Sequence, residues 1–509
     1  EAFAQSITST IRGTVTSPGG TPVPGATVTV VDSRTGSTRS VTTGSNGQFN
    51  VPNLEVGGPY IVTVASADFQ NSRAEDVYTN VSDTTTLSFR LDASGAGADE
   101  IVVVAARSIQ TDVAIGPNSV FSEQTLIDLP SIGRDICDVL RLDPRVKIDP
   151  TNGDAVSCVG ANNRFNSFTV DGVRNNDTFG LNASGFVNRN GMPIPFDAIR
   201  ETSVEFAPFD VQYNQFTGCN INAVTKSGGN EFSGSAFAVF NSQSLTGKSV
   251  DGAVANQVPF RDYTWGATLG GPVLQDKLFF FVGYEEYKKN RPQGTGPTGG
   301  GFATQMAFVG VAEAEAIAAA LEARGIPTGG ITSILPQESR RILTRWDWNI
   351  NDNHRLAFTY QRLNEYETLA DDLSTANNLF AYGNTFYIRG TKSQTYSARL
   401  FSNWTDNFST EIRASRADVG DLQDPVGGGE AQSGNPIPRV IVGVNNGAVL
   451  AGPGFSRAAN QLDTQTDTIR FKADWSLGRH NIMFGYEYDQ VDIYNLFAQN
   501  ATGTLAFAN

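Results

Sequence analysis

The sequence predicts a mainly β protein in three parts: an N-terminal β-sandwich, a compact α+β segment, and part of a transmembrane antiparallel β-barrel. Three observations carry that expectation. The 509 residues include 52 Gly and 32 Phe but only 17% charged residues, which favours turns and strands over long surface helices. From residue 230 onward apolar and polar residues alternate in long stretches, the period of a strand with two unlike faces. The connections between those stretches alternate strictly between short and long. At roughly 100–200 residues per domain, the chain is also too long for one core.

Composition excludes several functions before any element is placed. Lys+Arg is 37 against Asp+Glu 52, a net charge of −15, so there is no basic field to hold a phosphate backbone and nucleic acid is not an expected partner. The only histidines, His354 and His480, begin no metal-binding pair and support no Ser-His-Asp arrangement, so neither a catalytic site, a metal site nor a cofactor is expected. Cys137, Cys158 and Cys219 lack Cys-x-x-Cys spacing and read as one disulfide plus one free thiol in an oxidising compartment. Of the three pairings, Cys158–Cys219 is favoured, because both follow strand-like segments in the middle of the chain. Ala2-Phe3-Ala4 before Gln5 has the small-x-small pattern that precedes signal-peptidase cleavage, so residues 1–7 read as an export-signal remnant and the start of the mature chain. No run of 18 apolar residues follows, which excludes a helical membrane span but not a β-barrel.

Residues 8–92 read as a small all-β module. Ile11 to Val15 is a strand, Pro22 to Ala26 a turn, Thr27 to Val31 a strand, Asn46-Gly47 the centre of a turn, and Tyr60 to Ala65 an alternating strand. About seven such strands suggest a sandwich. Its run of Gly-x-Val, Pro-Gly-Ala-x-Val, Thr-x-x-x-Gly-x-Phe and Gly-x-Pro-Tyr-x-Val-x-Val resembles the carboxypeptidase regulatory-like, or carbohydrate-binding-like, domain. That resemblance implies a fold and no catalytic residue; a carbohydrate role would rest on the fold alone.

Residues 93–109 form a linker. Ala93 to Ala98 is all small residues and is expected to be flexible. Asp99, Glu100, Ile101, Val102, Val103 and Val104, with Ala105 and Ala106 after them, make an acidic start and a β-branched run without a neighbouring strand in sequence. Such a segment can add to another protein's sheet edge; the alternative is an ordinary edge strand. It resembles the TonB box of TonB-dependent outer-membrane receptors, which implies that Asp99 to Val104 bind TonB.

Residues 110–229 are mixed and compact. Ser122 is placed to cap a helix running through Leu129, Pro130 stops it, and Arg134 to Leu142 offers a second helical stretch with Ile136, Val139 and Leu140 on one side. Phe168 to Val173 reads as a strand entering a tight turn at Asp171-Gly172. Ile221 to Thr225 reads as a strand that ends at Lys226-Ser227-Gly228-Gly229. Both stretches resemble the receptor plug, in which a Val-Asp-Gly turn and an Ile-Asn-x-x-Thr-Lys-Ser-Gly strand recur.

Residues 230–509 carry the barrel pattern. Trp346, Trp348 and Ile350 alternate with Arg345, Asp347 and Asn349, and Ile469, Phe471, Ala473 and Trp475 alternate with Arg470, Lys472, Asp474 and Ser476. One side suits lipid and the other a polar interior. Strands are expected at 231–241, 262–271, 278–288, 341–350, 355–363, 392–404, 408–416, 464–476 and 481–491. Connections 289–340, 364–391 and 417–463 are long, and the others in the pairs are a few residues each, as in barrels with short periplasmic turns and long extracellular loops. Nine strands do not make the even number that bacterial barrels use, and plugged transporters have about 22, so the C-terminal end reads as truncated, as the export-signal remnant suggests for the N-terminal end. Thr304 to Arg324 is expected to form a loop helix over the barrel mouth, with Val309, Ile317 and Leu321 on one face. Asp371-Asp372 lacks the spaced oxygen ligands of a Ca²⁺ loop and reads as solvated surface.

The order of module, TonB-box-like strand, plug and barrel resembles the Oar-like TonB-dependent receptors over essentially the whole chain. The resemblance implies an outer-membrane receptor or transporter with residues 8–106 in the periplasm and the barrel in outer-membrane lipid. It further implies energy from TonB with its partners ExbB and ExbD, and an unknown extracellular ligand. The rival expectation is an adhesion or structural protein, whose barrel is an anchor and whose module or loops bind carbohydrate or matrix.

Overall fold

The computed structural model describes residues 7–81, 84–93, 101–104, 118–129, 131, 133–189, 192–206, 211–214, 216–254, 260–477 and 480–508. The export-signal pattern at Ala2 to Gln5, linker residues 94–98, Asp99, Glu100, Ala105, Ala106, Pro130 and the turn residues Gly478 and Arg479 lie outside them.

Alternating Val, Ile and aromatic residues build the N-terminal module. It contains β1 (Thr8–Thr16), β2 (Thr27–Asp32), β3 (Thr38–Thr42), β4 (Gln48–Glu55), β5 (Gly57–Ser66), β6 (Phe69–Thr79), β7 (Thr84–Arg90) and β8 (Ile101–Val104). One sheet has the order β4-β1-β7 and the other β3-β2-β5-β6-β8. Between them Ile11, Val15, Val28, Val30, Phe49, Val62, Val64 and Phe89 are buried, the inward half of a period-2 pattern. Ile101–Val104 takes the form of the alternative, an edge strand: it is the fifth strand of the larger sheet, parallel to β6 with Ser72 opposite Ile101 and Glu75 opposite Val104.

The middle unit comprises β9 (Asn118–Phe121), α1 (Glu123–Asp128), α2 (Ile136–Leu140), β10 (Val146–Asp149), β11 (Ala155–Cys158), β12 (Ser167–Val170), β13 (Val173–Arg174), β14 (Ile199–Phe206) and β15 (Cys219–Thr225). Ser122 caps α1 by accepting from the Thr125 amide. The second helix is shorter than the expected Arg134 to Leu142: Asp135 caps it through the Cys137 amide, and Arg134 has φ 51°, outside helical space. The main sheet runs β13-β12-β15-β14-β9, with β12 and β15 parallel. Cys158 and Cys219 are disulfide-bonded, with Cα atoms 5.8 Å apart, while Cys137 is a buried free thiol. The core of this unit also takes in Phe281 and Leu343, which come from the strands that follow.

β16 (Ser233–Ser242) opens the third part, followed by a small hairpin of β17 (Ser249–Val250) and β18 (Ala253–Val254). The pair β19 (Arg261–Leu274) and β20 (Leu278–Pro292) comes next, then a long connection with β21 (Thr295–Thr298), β22 (Thr304–Gly310) and α3 (Val311–Glu322). After the pair β23 (Ile334–Asn351) and β24 (His354–Leu369), β25 (Leu379–Ala381) lies in the second long connection. The pair β26 (Tyr387–Thr405) and β27 (Phe408–Pro425) precedes a third, with β28 (Arg439–Val444) and β29 (Gly447–Ala451). The last pair, β30 (Asn460–Leu477) and β31 (His480–Phe497), is followed by β32 (Thr504–Phe507).

The nine long strands form one antiparallel sheet in chain order, β16-β19-β20-β23-β24-β26-β27-β30-β31. All nine lie where alternation places them, but most run several residues further into the long connections. β23 has 18 residues and so spans about 60 Å, against an apolar band about 25 Å tall. Beyond that band the outward residues turn polar, at Arg362, Asn364 and Lys392 for example, while backbone pairing continues. One face exposes Trp265, Leu269, Trp346, Trp348, Ile469 and Trp475; the other buries Arg345, Asp347, Arg399, Arg413, Arg470 and Lys472. No helix among the described residues is long and apolar enough to cross a membrane.

The long connections pack into a layer of their own. β25-β29-β28-β32 is a four-stranded sheet, and its Phe380, Val440 and Val449, with Tyr382 just beyond β25, share a core with Met306, Phe308, Ala314 and Leu321. The expected helix from Thr304 is corrected here: Thr304–Gly310 is strand β22, and the helix starts after Gly310. Met306, Phe308 and Val309 are bulky residues that fit a pleated surface, and Gly310 takes the extended N-cap conformation that ends the strand. Val309 therefore reaches the core from a strand rather than from a helix face.

Candidate functional site

The sequence motifs of the middle unit meet at its boundary with the long-strand sheet. Asp171 and Gly172 form the two-residue turn between β12 and β13, both with positive φ, 48° and 68°, which suits Asp-Gly. Parallel pairing sets Val170 opposite Ala223, so the turn falls beside the end of β15. There the Asp171 carboxylate accepts from the Thr225 amide at 2.9 Å and from its hydroxyl at 2.6 Å. Asn222 Oδ1 accepts from Thr169 Oγ1 at 2.7 Å and from the Gly172 amide at 3.2 Å. Thr169 and Asn222 lie on the strand face opposite Phe168, Val170, Ile221 and Ala223, which belong to the apolar core of the unit.

Arginines of the sheet close on this turn. Arg399 donates to the Asp171 carbonyl, Arg413 to the Gly172 carbonyl at 2.6 Å, and Arg345 to the Thr225 carbonyl at 3.1 Å and hydroxyl at 3.3 Å. Each has an acidic neighbour: Glu411 lies 3.3 Å from Arg399, Glu487 3.5 Å from Arg413, and Asp347 2.8 Å from Arg345. Inward alternation is what supplies these residues, since every second position of a strand faces the same way. Hydrogen bonds from a charged donor contribute about 1.5–3 kcal/mol each. The middle unit is thus held at this turn by polar groups on backbone carbonyls rather than by interlocked apolar side chains.

The Lys226-Ser227-Gly228 stretch faces three ways. Lys226 pairs with Glu123 of α1 at 2.9 Å. Ser227 donates to Glu55 of the N-terminal module at 3.4 Å. Gly228 lies so close to β19 and β20 that a Cβ there would collide with the carbonyl oxygens of Gly271 and Phe280.

Glu55 is the centre of a second cluster, at the tight-turn end of the sheet. It pairs with Arg355 at 2.7 Å, Arg345 at 3.0 Å and Arg34 at 3.7 Å. Burial alone would raise its pKa, but Arg355, Arg345 and Arg34 more than offset this and hold the carboxyl at about 2. Arg345 therefore touches all three parts of the chain: Glu55, Thr225 and Asp347. Around it the module meets the turns of the sheet, with Arg39 donating to Asn353 at 3.2 Å, the Thr42 amide to Asp406 at 3.1 Å and Asn53 to Asn403 at 3.4 Å. Val56, Val81 and Val224 add a small apolar contact between module and middle unit.

The motif residues Asp171, Gly172, Thr225, Lys226, Ser227 and Gly228 are thus brought to one region, and Ile101 to Val104 lie apart from it on the module. Sequence reading missed Glu55, Arg355, Arg399 and Arg413. The inward parity of arginines within strands was a signal for the last three; a lone Glu at the end of β4 carried none. Asp371 and Asp372 are not free surface: Asp372 pairs with Arg439 at 2.7 Å and Asp371 with Arg457 at 3.7 Å. No cluster of three metal-ligating side chains is present among the described residues.

Comparison with known proteins agrees with this architecture. Residues 10–92 match the carboxypeptidase regulatory-like domain. Residues 224–300 and 320–509, more than half of the chain, match the outer membrane beta barrel domain. The chain is 28% identical over 298 residues to the TonB-dependent transporter Oar of Myxococcus xanthus, a match covering 56% of this chain and 27% of that protein. The crystal structure of the outer membrane transporter YddB from Escherichia coli superposes with a TM-score of 0.54 at 12% identity, over 74% of this chain and 48% of that one, a likeness of fold. The chain thus spans about half the length of that solved transporter and a smaller share of its curated relative. Both are transporters rather than enzymes. With a nine-stranded antiparallel sheet whose outer face is apolar and whose inner face clamps a packed unit, this chain belongs to the outer membrane beta barrel family and carries a carboxypeptidase regulatory-like domain ahead of its barrel.

Proposed function

We propose that the chain works as a TonB-dependent outer-membrane receptor that takes up an extracellular ligand, with energy delivered by TonB and its partners ExbB and ExbD. In this reading residues 8–92 are a periplasmic module, 93–109 a linker whose Asp99 to Val104 bind TonB, 110–229 the plug and 230–509 barrel. The observation that carries it is the polar clamp at Asp171-Gly172 and Thr225. A plug held by guanidinium-to-carbonyl hydrogen bonds can exchange those partners for water as it moves, at a net cost of about 0.5–1.5 kcal/mol for an ordinary bond and more for a charged one. An interface interlocked throughout by apolar side chains would resist such motion far more strongly than one in which Phe281 and Leu343 join the plug core. The likeness to a TonB-dependent transporter supports the same reading. Ligand arriving at the long-connection end would shift the plug, and tension on residues 99–106 would open a path along the polar inner face.

The test is a titration of the purified periplasmic domain of TonB against the receptor and its Ile101→Pro variant. Proline removes a ladder donor, so binding should be lost in the variant. An intact receptor that binds no TonB, with or without spent culture medium as a source of ligand, would overturn this reading in favour of an adhesin whose barrel is only an anchor.

A further inference from the structure

An open groove of about 810 Å³ lies on the outer wall of the long-strand sheet, across β24, β26, β27, β30 and β31. Its place is set by what precedes it along β24. Leu356 and Phe358 are outward positions of the apolar band, and Tyr360 follows them, opposite Tyr396 of β26. The two tyrosine rings lie 5.0 Å apart, and both hydroxyls donate to Gln394 Oε1 at 3.2 Å. Tyrosines at the rim of an apolar band mark the level where lipid tails give way to headgroups. The next outward residue is Arg362, and there the groove begins.

Charge is divided across this groove. Arg362 and Lys392 come from β24 and β26 and are diagonal neighbours, because Arg362 faces Gln394 and Lys392 faces Asn364. Asp418, Asp463 and Asp492 come from β27, β30 and β31. Gly420 stands between Lys392 and Asp463 in the register, so no side chain fills the space between them. Other cations of the outer wall are neutralised by neighbours: Arg340 lies 3.1 Å and Lys288 3.4 Å from Glu286, and Arg416 3.3 Å from Asp418. Arg362 and Lys392 are exposed and form no ion pair among the described residues.

We propose that the groove binds the phosphorylated saccharide headgroup of a glycolipid in the outer leaflet of the membrane. The phosphate goes to Arg362 and Lys392, two cations that gain a charge-assisted partner without giving one up. The sugar lies toward Asp463 and Asp492, whose carboxylates accept from hydroxyls. Each already accepts one amide bond, from Gln461 at 2.7 Å and Gln490 at 3.2 Å, and keeps further acceptor positions open. Tyr494, 55% exposed, offers a ring face to the sugar. A simple anionic lipid fits less well, because its charge has no hydroxyls to offer the carboxylates. A free saccharide fits less well because the groove opens onto the apolar band, where attached acyl chains lie against Phe358 and the tyrosine pair. The proposal uses the barrel and the outward side of its long connections, and is independent of the TonB reading.

The test is a titration of lipid A, an acylated disaccharide carrying two phosphates, against the full chain purified in detergent. Saturable binding is expected, and Arg362→Gln/Lys392→Gln should weaken it roughly tenfold or more. Removing the phosphates from the lipid should weaken binding to wild type by a similar factor and change little for the double variant. Arg340→Gln removes a cation that is already paired and should bind like wild type. All three positions are exposed, and an unchanged heat-modifiable gel shift verifies that each variant is folded. Absence of saturable binding, or equal binding by wild type and the double variant, overturns the site. An equal loss in Arg340→Gln assigns the binding to general surface charge and overturns the groove. A deacylated phosphorylated saccharide that binds as tightly as lipid A overturns the membrane lipid as the occupant.

Discussion

The two ends of the long-strand sheet are held by different forces. At the long-connection end β22, β25, β28, β29 and α3 enclose an apolar core of Phe380, Tyr382, Val440, Leu321 and their neighbours, as in a small soluble domain. At the tight-turn end the module and middle unit meet the sheet through the charged cluster of Glu55, Arg345, Arg355 and Asp347, beside which Ile7 packs on Ala357 and Phe401, and Phe281 and Leu343 join the middle unit's core. Apolar packing is non-directional and holds one arrangement by shape, whereas ion pairs and hydrogen bonds can be exchanged for water. The difference teaches that shape fixes the long-connection layer, whereas the tight-turn interface depends in large part on charge pairing and so on pH.

That contrast can be broken experimentally. The largest effect is expected at the apolar end: Phe380→Ala opens a cavity beside Tyr382, whose ring lies 5.3 Å away, and should destabilise the layer by about 3–5 kcal/mol. Hydrogen exchange should speed up in β25, β28 and β29 and stay unchanged in the module. Spread of the change to β1–β7 would show that the two ends are coupled.

Arg345→Ala should cost somewhat less, about 3 kcal/mol, because Arg355 remains beside both Glu55 and Asp347. Its signature is loss of module docking, read by distance measurement between labels on β3 and on the β23/β24 turn. The same interface predicts a pH window. The Glu55 carboxyl is held below its ordinary value of 4.5, at about 2. Its contribution to docking is therefore complete above about pH 4.5 and is lost as pH falls from there toward 2. Glu55→Gln should weaken docking at pH 7 and flatten that acid transition; an unchanged transition would assign it to another carboxylate. The smallest effect belongs to Arg39→Ala, where an exposed contact to the backbone carbonyl of Asp352 and the side chain of Asn353 should contribute about 1 kcal/mol or less.

Much of the architecture was legible because one physical signal repeats along each strand. Trp346, Trp348 and Ile350 must face lipid while Arg345 and Asp347 cannot, and that requirement locates β23 without any knowledge of its neighbours. The ends of the same strand were not legible. Beyond the apolar band the alternation stops although backbone pairing runs on to Ile334. Helix limits were missed where one residue decides them, Gly310 ahead of α3 and Arg134 ahead of α2.

The sequence by itself determined which residues form strands, which faces are apolar, where the tight turns fall, and that Asp171-Gly172 is a turn. Each of these follows from local sterics or from a period of two. Only the tertiary structure decided that Asp171 meets Thr225, that Arg399 and Arg413 close on the turn, that Glu55 pairs with arginines of the barrel, and that Ile101–Val104 pairs with β6. Those partners are separated by tens to hundreds of residues. Their meeting depends on how whole sheets stack and on which desolvated charge finds a counter-charge, and no local pattern encodes that.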